Sequence, residues 1–161
     1  MTEEKWNWKE AARRVEELID FPLEEKPKLS IDRFPEDITL IPSDQVGFLM
    51  GQLEAWRSYI ASQLMVVLAK HGIVKNSFEL GLGKSLFKME EELPKRRLKE
   101  GLISHIITNS EELRKAKIML IEFEAKIMIL EKAYELYSNK ISTLSREITR
   151  RSIGSKQEGR M

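Results

Sequence analysis

Residues 113–151, LRKAKIMLIEFEAKIMILEKAYELYSNKISTLSREITRR, decide how the rest of the chain is read. Counting sevens from Leu113 meets Leu113, Leu120, Ile127, Tyr134, Ile141 and Ile148. Counting sevens from Ala116 meets Ala116, Phe123, Leu130, Tyr137, Leu144 and Arg151. Eleven of these twelve positions are apolar, and an apolar residue alternating every third and fourth position is the signature of a coiled-coil seam. Between 117 and 130 the other faces are apolar too, through Ile118, Met119, Ile121, Ala125, Met128 and Ile129. A helix apolar nearly all round needs neighbours on several sides. The reading is an all-α fold: a helical bundle with a long C-terminal heptad-repeat helix, held in a homo-oligomer. Its seam is Leu113, Leu120, Phe123, Ile127, Leu130, Tyr134, Tyr137, Ile141, Leu144 and Ile148.

Working outward, Ser43 and Asp44 open another helix. Its apolar stripe runs through Val46, Leu49, Met50, Leu53, Trp56, Ile60, Leu64, Val67 and Leu68. Lys70 and His71 suit its C-terminal end, and Gly72 is expected to supply a left-handed stop. Residues 72–94, with Gly72, Gly81, Gly83 and Pro94, read as irregular, with short strands or a turn near Phe78–Leu82 and Leu86–Phe87. A helix should follow from Lys95 to about Ile107. Thr108-Asn109-Ser110-Glu111 then has the form of a capping box, starting a new helix or kinking a continuous one. On the N-terminal side, 2–20 has helical spacing of Trp8, Ala12, Val15, Leu18 and Ile19. Segment 21–42 holds four of the five prolines and reads as a Pro-rich arm, able to dock through Leu29, Ile31, Phe34, Ile38, Leu40 and Ile41. Three regions result: 1–42, an acidic helix and arm; 43–151, a helical oligomerisation and binding domain; and 152–161, a flexible tail.

The formal charge of +1 over 161 residues hides an uneven distribution. Residues 1–45 carry 7 basic and 12 acidic groups, 46–93 carry 5 of each, and 94–161 carry 15 and 9. Such asymmetry points to a basic face for a polyanion and an acidic arm for another partner. No apolar run approaches the ~20 residues of a membrane helix, and the acidic, Trp-bearing start does not read as a signal peptide. The absence of cysteine removes thiolate chemistry and fits a reducing compartment.

Catalytic patterns fail on their spacing. Leu82-Gly83-Lys84-Ser85 ends like a phosphate-binding loop, but that motif needs glycine where Phe78 stands. Neither His71 nor His105 has a carboxylate three residues before it, so the di-metal pattern of helical bundles is missing. No catalytic residue, metal or cofactor is expected. Binding chemistry remains: Lys75, Lys84, Lys88, Lys95, Arg96, Arg97 and Lys99 surround Phe78 and Phe87. Cations that follow phosphates, interleaved with rings on which bases stack, are what sequence-tolerant single-strand binding requires. Both rings equally fit anchors to the core. A second basic group, Arg146, Arg150 and Arg151, lies at the end of the heptad helix; it reads either as a charged terminus or as a further polyanion contact.

Over residues 44–151 the chain resembles phage recombination mediators of the UvsY type. The likeness lies in a helix like 44–71, a basic intervening region, a long helix, and the closing string Ser145-Arg146-Glu147-Ile148-Thr149-Arg150-Arg151. The resemblance implies a ring-like homo-oligomer in the host cytoplasm that binds single-stranded DNA. It also implies help in loading a RecA-like recombinase past a single-strand-binding protein, without enzymatic activity. The acidic arm 1–42 lies outside the likeness; its Trp6, Trp8, Val15, Leu18 and Ile19 suit a recombinase or single-strand-binding protein as partner, or packing within the oligomer. A competing expectation is a phage structural or assembly protein, such as a scaffold, tail chaperone or virion component, whose coiled coil is the working part and which binds no nucleic acid. A packaging or transcription adaptor would need a helix-turn-helix, and none can be placed.

Overall fold

The computed structural model describes residues 25–28, 34–92 and 99–158. It is all-helical, with no strand among the described residues. A short 3-10 turn, Ile38–Leu40, precedes α1 (Ser43–Glu92), α2 (Lys99–Asn109) and α3 (Glu111–Glu158). No helix among the described residues is long and apolar enough to cross a membrane. The expected helix at 2–20 lies outside the described residues, as does the junction 93–98. The chain divides into two compact units. The described part of one falls within Met65–Met128; the other takes Pro22–Leu64 and Ile129–Met161.

In the unit formed by Pro22–Leu64 and Ile129–Met161, fully buried Val46 and Leu53 of α1 meet Ile141 and Leu144 of α3. Leu49, Met50 and Tyr137 close the flanks of this cluster. Trp56 lies parallel to Tyr137, with ring centroids 6.3 Å apart, and meets Tyr59 edge-on at 5.9 Å. Each buried Leu or Val removes apolar surface from water, worth about 1.5–3 kcal/mol per side chain. Part of the Pro-rich arm docks here: Phe34, Ile38 and Ile41 pack on the cluster, and the Lys140 ammonium lies 5.2 Å from the Phe34 ring centroid. Leu40 points away and is exposed. Asp37 caps the 3-10 turn by accepting from the Thr39 amide at 2.9 Å and the Thr39 hydroxyl at 2.6 Å.

In the unit within Met65–Met128, Val74 is fully buried against Ala116 and Leu120, with Phe78, Met119 and Phe123 around them. Here α1 passes straight through the glycines that the sequence reads as a stop and an irregular segment. No described glycine has a positive φ, so Gly72 is not a left-handed cap. Packing of Val74 and Phe78 outweighs the roughly 1 kcal/mol that each interior glycine costs relative to alanine. Gly81 has a further use, since a Cβ there would sit 3.1 Å from Leu113 Cδ2. Hydroxyls within this stretch bond back along the helix, Ser77 to the Ile73 carbonyl and Ser85 to the Gly81 carbonyl. The expected strands or turn at 78–87 are therefore helix.

The break between α2 and α3 is a single residue. The cap is Ser110 rather than Thr108: the Ser110 hydroxyl accepts from the Leu113 amide at 3.3 Å. Thr108 instead donates to the Ser104 carbonyl at 2.8 Å. Backbone bonds from the Ser110 amide to the Ile106 carbonyl and from the Arg114 amide to the Ser110 carbonyl carry the helical pattern across. At its far end α3 continues to Glu158, through most of the stretch that composition marks as a tail.

Gly72 gives a direct test of helix continuity. A Cβ there would meet nothing within 4 Å. Gly72→Ala should raise stability by roughly 0.5–1 kcal/mol in urea unfolding followed by circular dichroism. A left-handed cap would make the same substitution destabilising.

Candidate nucleic-acid interface

The basic positions divide by placement. Lys95, Arg96 and Arg97 lie outside the described residues, and Lys99 opens α2. Lys75, Lys84 and Lys88 are exposed on α1. At about 100° per residue, Lys75 stands roughly half a turn around the axis from Lys84, so the helix does not gather all three. It does gather Leu80, Lys84, Phe87 and Lys88, which recur at intervals of three and four on one exposed face.

The two candidate stacking rings have different fates. Phe78 packs against Val74, Ala116 and Leu120, with the Lys117 ammonium 6.0 Å from its centroid; it is an anchor. Phe87 is 65% exposed. A large ring held in water by a helix beside Lys84 can place a base on its face while that ammonium reaches a neighbouring phosphate.

The second basic group is largely engaged within the unit formed by Pro22–Leu64 and Ile129–Met161. Arg150 grips Glu147 with two nitrogens, Nε and Nη2, each at 2.7 Å. Arg151 Nε donates to Glu147 Oε1 at 2.7 Å. Its Nη1 donates to the Ser43 hydroxyl at 3.1 Å, and Nη2 to the carbonyls of Ile38 at 2.9 Å and Thr39 at 3.2 Å. Arg151 thus ties the 3-10 turn and the start of α1 to the end of α3, and only 21% of its side chain is exposed. It closes the heptad pattern as a polar clasp. Arg146 is exposed and forms no ion pair among the described residues. Glu147 stands four residues before Arg151, so that pair follows from helical spacing, whereas the long-range acceptors at Ser43, Ile38 and Thr39 have no local signal.

The seam positions are placed as follows. Leu113, Leu120, Ile141 and Leu144 are buried; Phe123, Ile127, Leu130 and Tyr137 are half-buried. Tyr134 and Ile148 are exposed. In each unit the cover comes from α1 of the same chain. The other apolar face of α3 stays bare, with Ile118, Ile121 and Met128 exposed in one unit and Ile129 and Leu136 in the other.

Both histidines lie within Met65–Met128. His71 Nε2 is buried without a hydrogen-bond partner, 3.7 Å from Glu124 Oε1. His105 is exposed beside the Asn109 amide. An open groove of about 520 Å³ in the other unit is lined by Pro27, Lys28, Gly47, Phe48, Gly51, Gln52 and Ala55, which is apolar apart from Lys28 and Gln52. No group of three or more His, Cys, Asp or Glu side chains able to hold a metal ion occurs among the described residues. No protein-family model, curated protein or solved structure matches the chain.

The Arg–Glu–Arg clasp has a pH signature. Hydrogen bonds from Arg150 and then Arg151 hold the Glu147 carboxyl down to about 2 from its ordinary 4.5. A depressed native pKa contributes stability that is fully present above about 4.5 and is lost as pH falls towards 2. Glu147→Gln should lower the melting temperature at neutral pH, and the gap to the native chain should close across that acid window. A gap unchanged between pH 6 and pH 2.5 would show that the clasp does not hold the fold.

Proposed function

We propose that the protein is a non-enzymatic, oligomeric single-stranded DNA-binding protein. The observation that carries this reading is Phe87, an exposed ring on one helical face with Lys84. The chain leads from that face into the sequence Lys95-Arg96-Arg97 and Lys99, so the basic character continues along the polypeptide. Binding of this type holds the sugar–phosphate backbone and stacks bases without reading their edges. Several copies joined in one assembly would multiply a weak single contact into a useful one.

The finer role is that of a recombination mediator, loading a RecA-like recombinase in the host cytoplasm; the likeness of residues 44–151 to the UvsY type supports it. The acidic segment 1–42 then offers a site for the recombinase or a single-strand-binding protein. Of the second basic group, Arg146 remains the best candidate for a phosphate contact, because Arg150 and Arg151 are held by Glu147. A second reading, an assembly or structural protein without nucleic-acid binding, is favoured by one observation: the bare apolar face of α3.

Anisotropy of a labelled oligothymidylate, titrated with the full chain across a salt series, separates the two. Log affinity should fall linearly with log salt, and Lys84→Ala should reduce that slope by about 0.7, the contribution of one phosphate neutralised on a single strand. Phe87→Ala should weaken binding by about 1–3 kcal/mol for one stacked base. Absence of binding even at low salt favours the assembly reading.

A further inference from the structure

Ile118, Ile121, Ala125 and Met128 recur at intervals of three and four along α3, on the side turned away from Leu113, Ala116 and Leu120. The three large side chains are 52%, 55% and 64% exposed. All four lie within Met65–Met128, over about 15 Å of helix. An apolar stripe of this regularity opposite a buried one is what a helix shows when it must meet a second helix.

The charges at its edge say which helix. Glu122 and Lys126 continue the row that starts at Ile118, each four residues on, and both are exposed. As Glu then Lys at i,i+4 they have the favoured order for an intrahelical pair. Yet they form none among the described residues, whereas Glu111–Lys115 on the same helix does. Two copies of α3 laid antiparallel about a two-fold axis level with Glu124 bring residues equidistant from that level together. Glu122 then faces the partner's Lys126, and Lys126 faces the partner's Glu122. A parallel pair would instead set Glu122 level with the partner's Glu122 and Lys126 level with the partner's Lys126.

We infer that the protein self-associates through the Ile118–Ile121–Ala125–Met128 stripe of α3, paired antiparallel with the same stripe of a second copy. This deepens the oligomeric part of the proposed function and rests on that part alone. It moves the contact from the seam, on which α1 packs in each unit, to the opposite face. A two-fold interface is self-complementary, so each substitution acts twice.

The test is sedimentation velocity of the full chain over a range of concentrations, without DNA. The native chain should dimerise or assemble further. Ile121→Glu with Met128→Glu should abolish this while leaving the helical circular dichroism spectrum intact. Glu122→Lys alone and Lys126→Glu alone should each weaken the association about tenfold, because each sets two like-charge contacts in place of two attractive ones. The double exchange Glu122→Lys/Lys126→Glu should restore it. A native chain that stays monomeric throughout overturns the proposal, and would leave the stripe to another segment of the same chain. Assembly that survives Ile121→Glu/Met128→Glu, or single exchanges that the double exchange does not rescue, also overturns it. Loss of oligothymidylate binding with assembly intact would instead count against the DNA-binding reading.

Discussion

The requirement that dominates this structure is cover for the heptad stripe of α3. A helix of 48 residues with an apolar position at every third or fourth step cannot remain alone in water. In each unit α1 supplies the cover: Val46 and Leu53 over Ile141 and Leu144 in one, Val74 and Phe78 over Ala116 and Leu120 in the other. Most other features follow from this. The glycines of α1 stay helical because the packing on either side of them is already fixed. Gly81 lets α1 come close enough to touch Leu113. Where the stripe would end on a charged residue, Arg151 turns its guanidinium to backbone carbonyls and closes the end of α3 with hydrogen bonds.

The all-helical class, the burial of much of the seam and the start of α1 at Ser43 were legible in the sequence, because they depend on periodicity and on a local helix-starting residue. Three things were not, each for a physical reason. Gly72 reads as a stop from local propensity, but propensity is worth only about 1 kcal/mol and the tertiary packing of Val74 overrides it. Thr108 and Ser110 can both cap a helix on chemistry alone; the choice falls to Ser110 because helical backbone bonds continue up to it. The share of the stripe that α1 covers depends on 72–92 being helical, which local composition does not signal; α1 packs on Ala116, Leu120, Ile141 and Leu144, while Tyr134 and Ile148 stay exposed.

For the candidate interface, the sequence gathered cations by proximity along the chain, whereas the helix sorts them by angle. Lys75 falls away from Lys84, and Phe78 turns inward while Phe87 turns outward, although all four sit within 13 residues of one helix. Nine residues separate the two rings, which is two and a half helical turns, so they could not share a face. Which rings and cations share a face therefore depends on the backbone of 72–92 being helical.

Net charge by segment is a poor guide to which cations remain available, and the reason is local. Arg57 pairs with Glu54, Lys115 with Glu111, Lys132 with Glu135, and Arg150 and Arg151 with Glu147. Each of these carboxylates lies three or four residues from its cation, the spacing at which helical neighbours meet. Lys84 has Leu80, Gly81, Phe87 and Lys88 at those positions, and Arg146 has Ser142, Thr143, Thr149 and Arg150. Neither has a carboxylate within helical reach. In a long exposed helix, a cation keeps its charge for an outside partner when its own turn offers no acid to neutralise it. By that rule availability does not follow the segment totals: Lys84 lies in the balanced segment 46–93, and beside the bare ring of Phe87 it is where phosphate attraction and base stacking coincide.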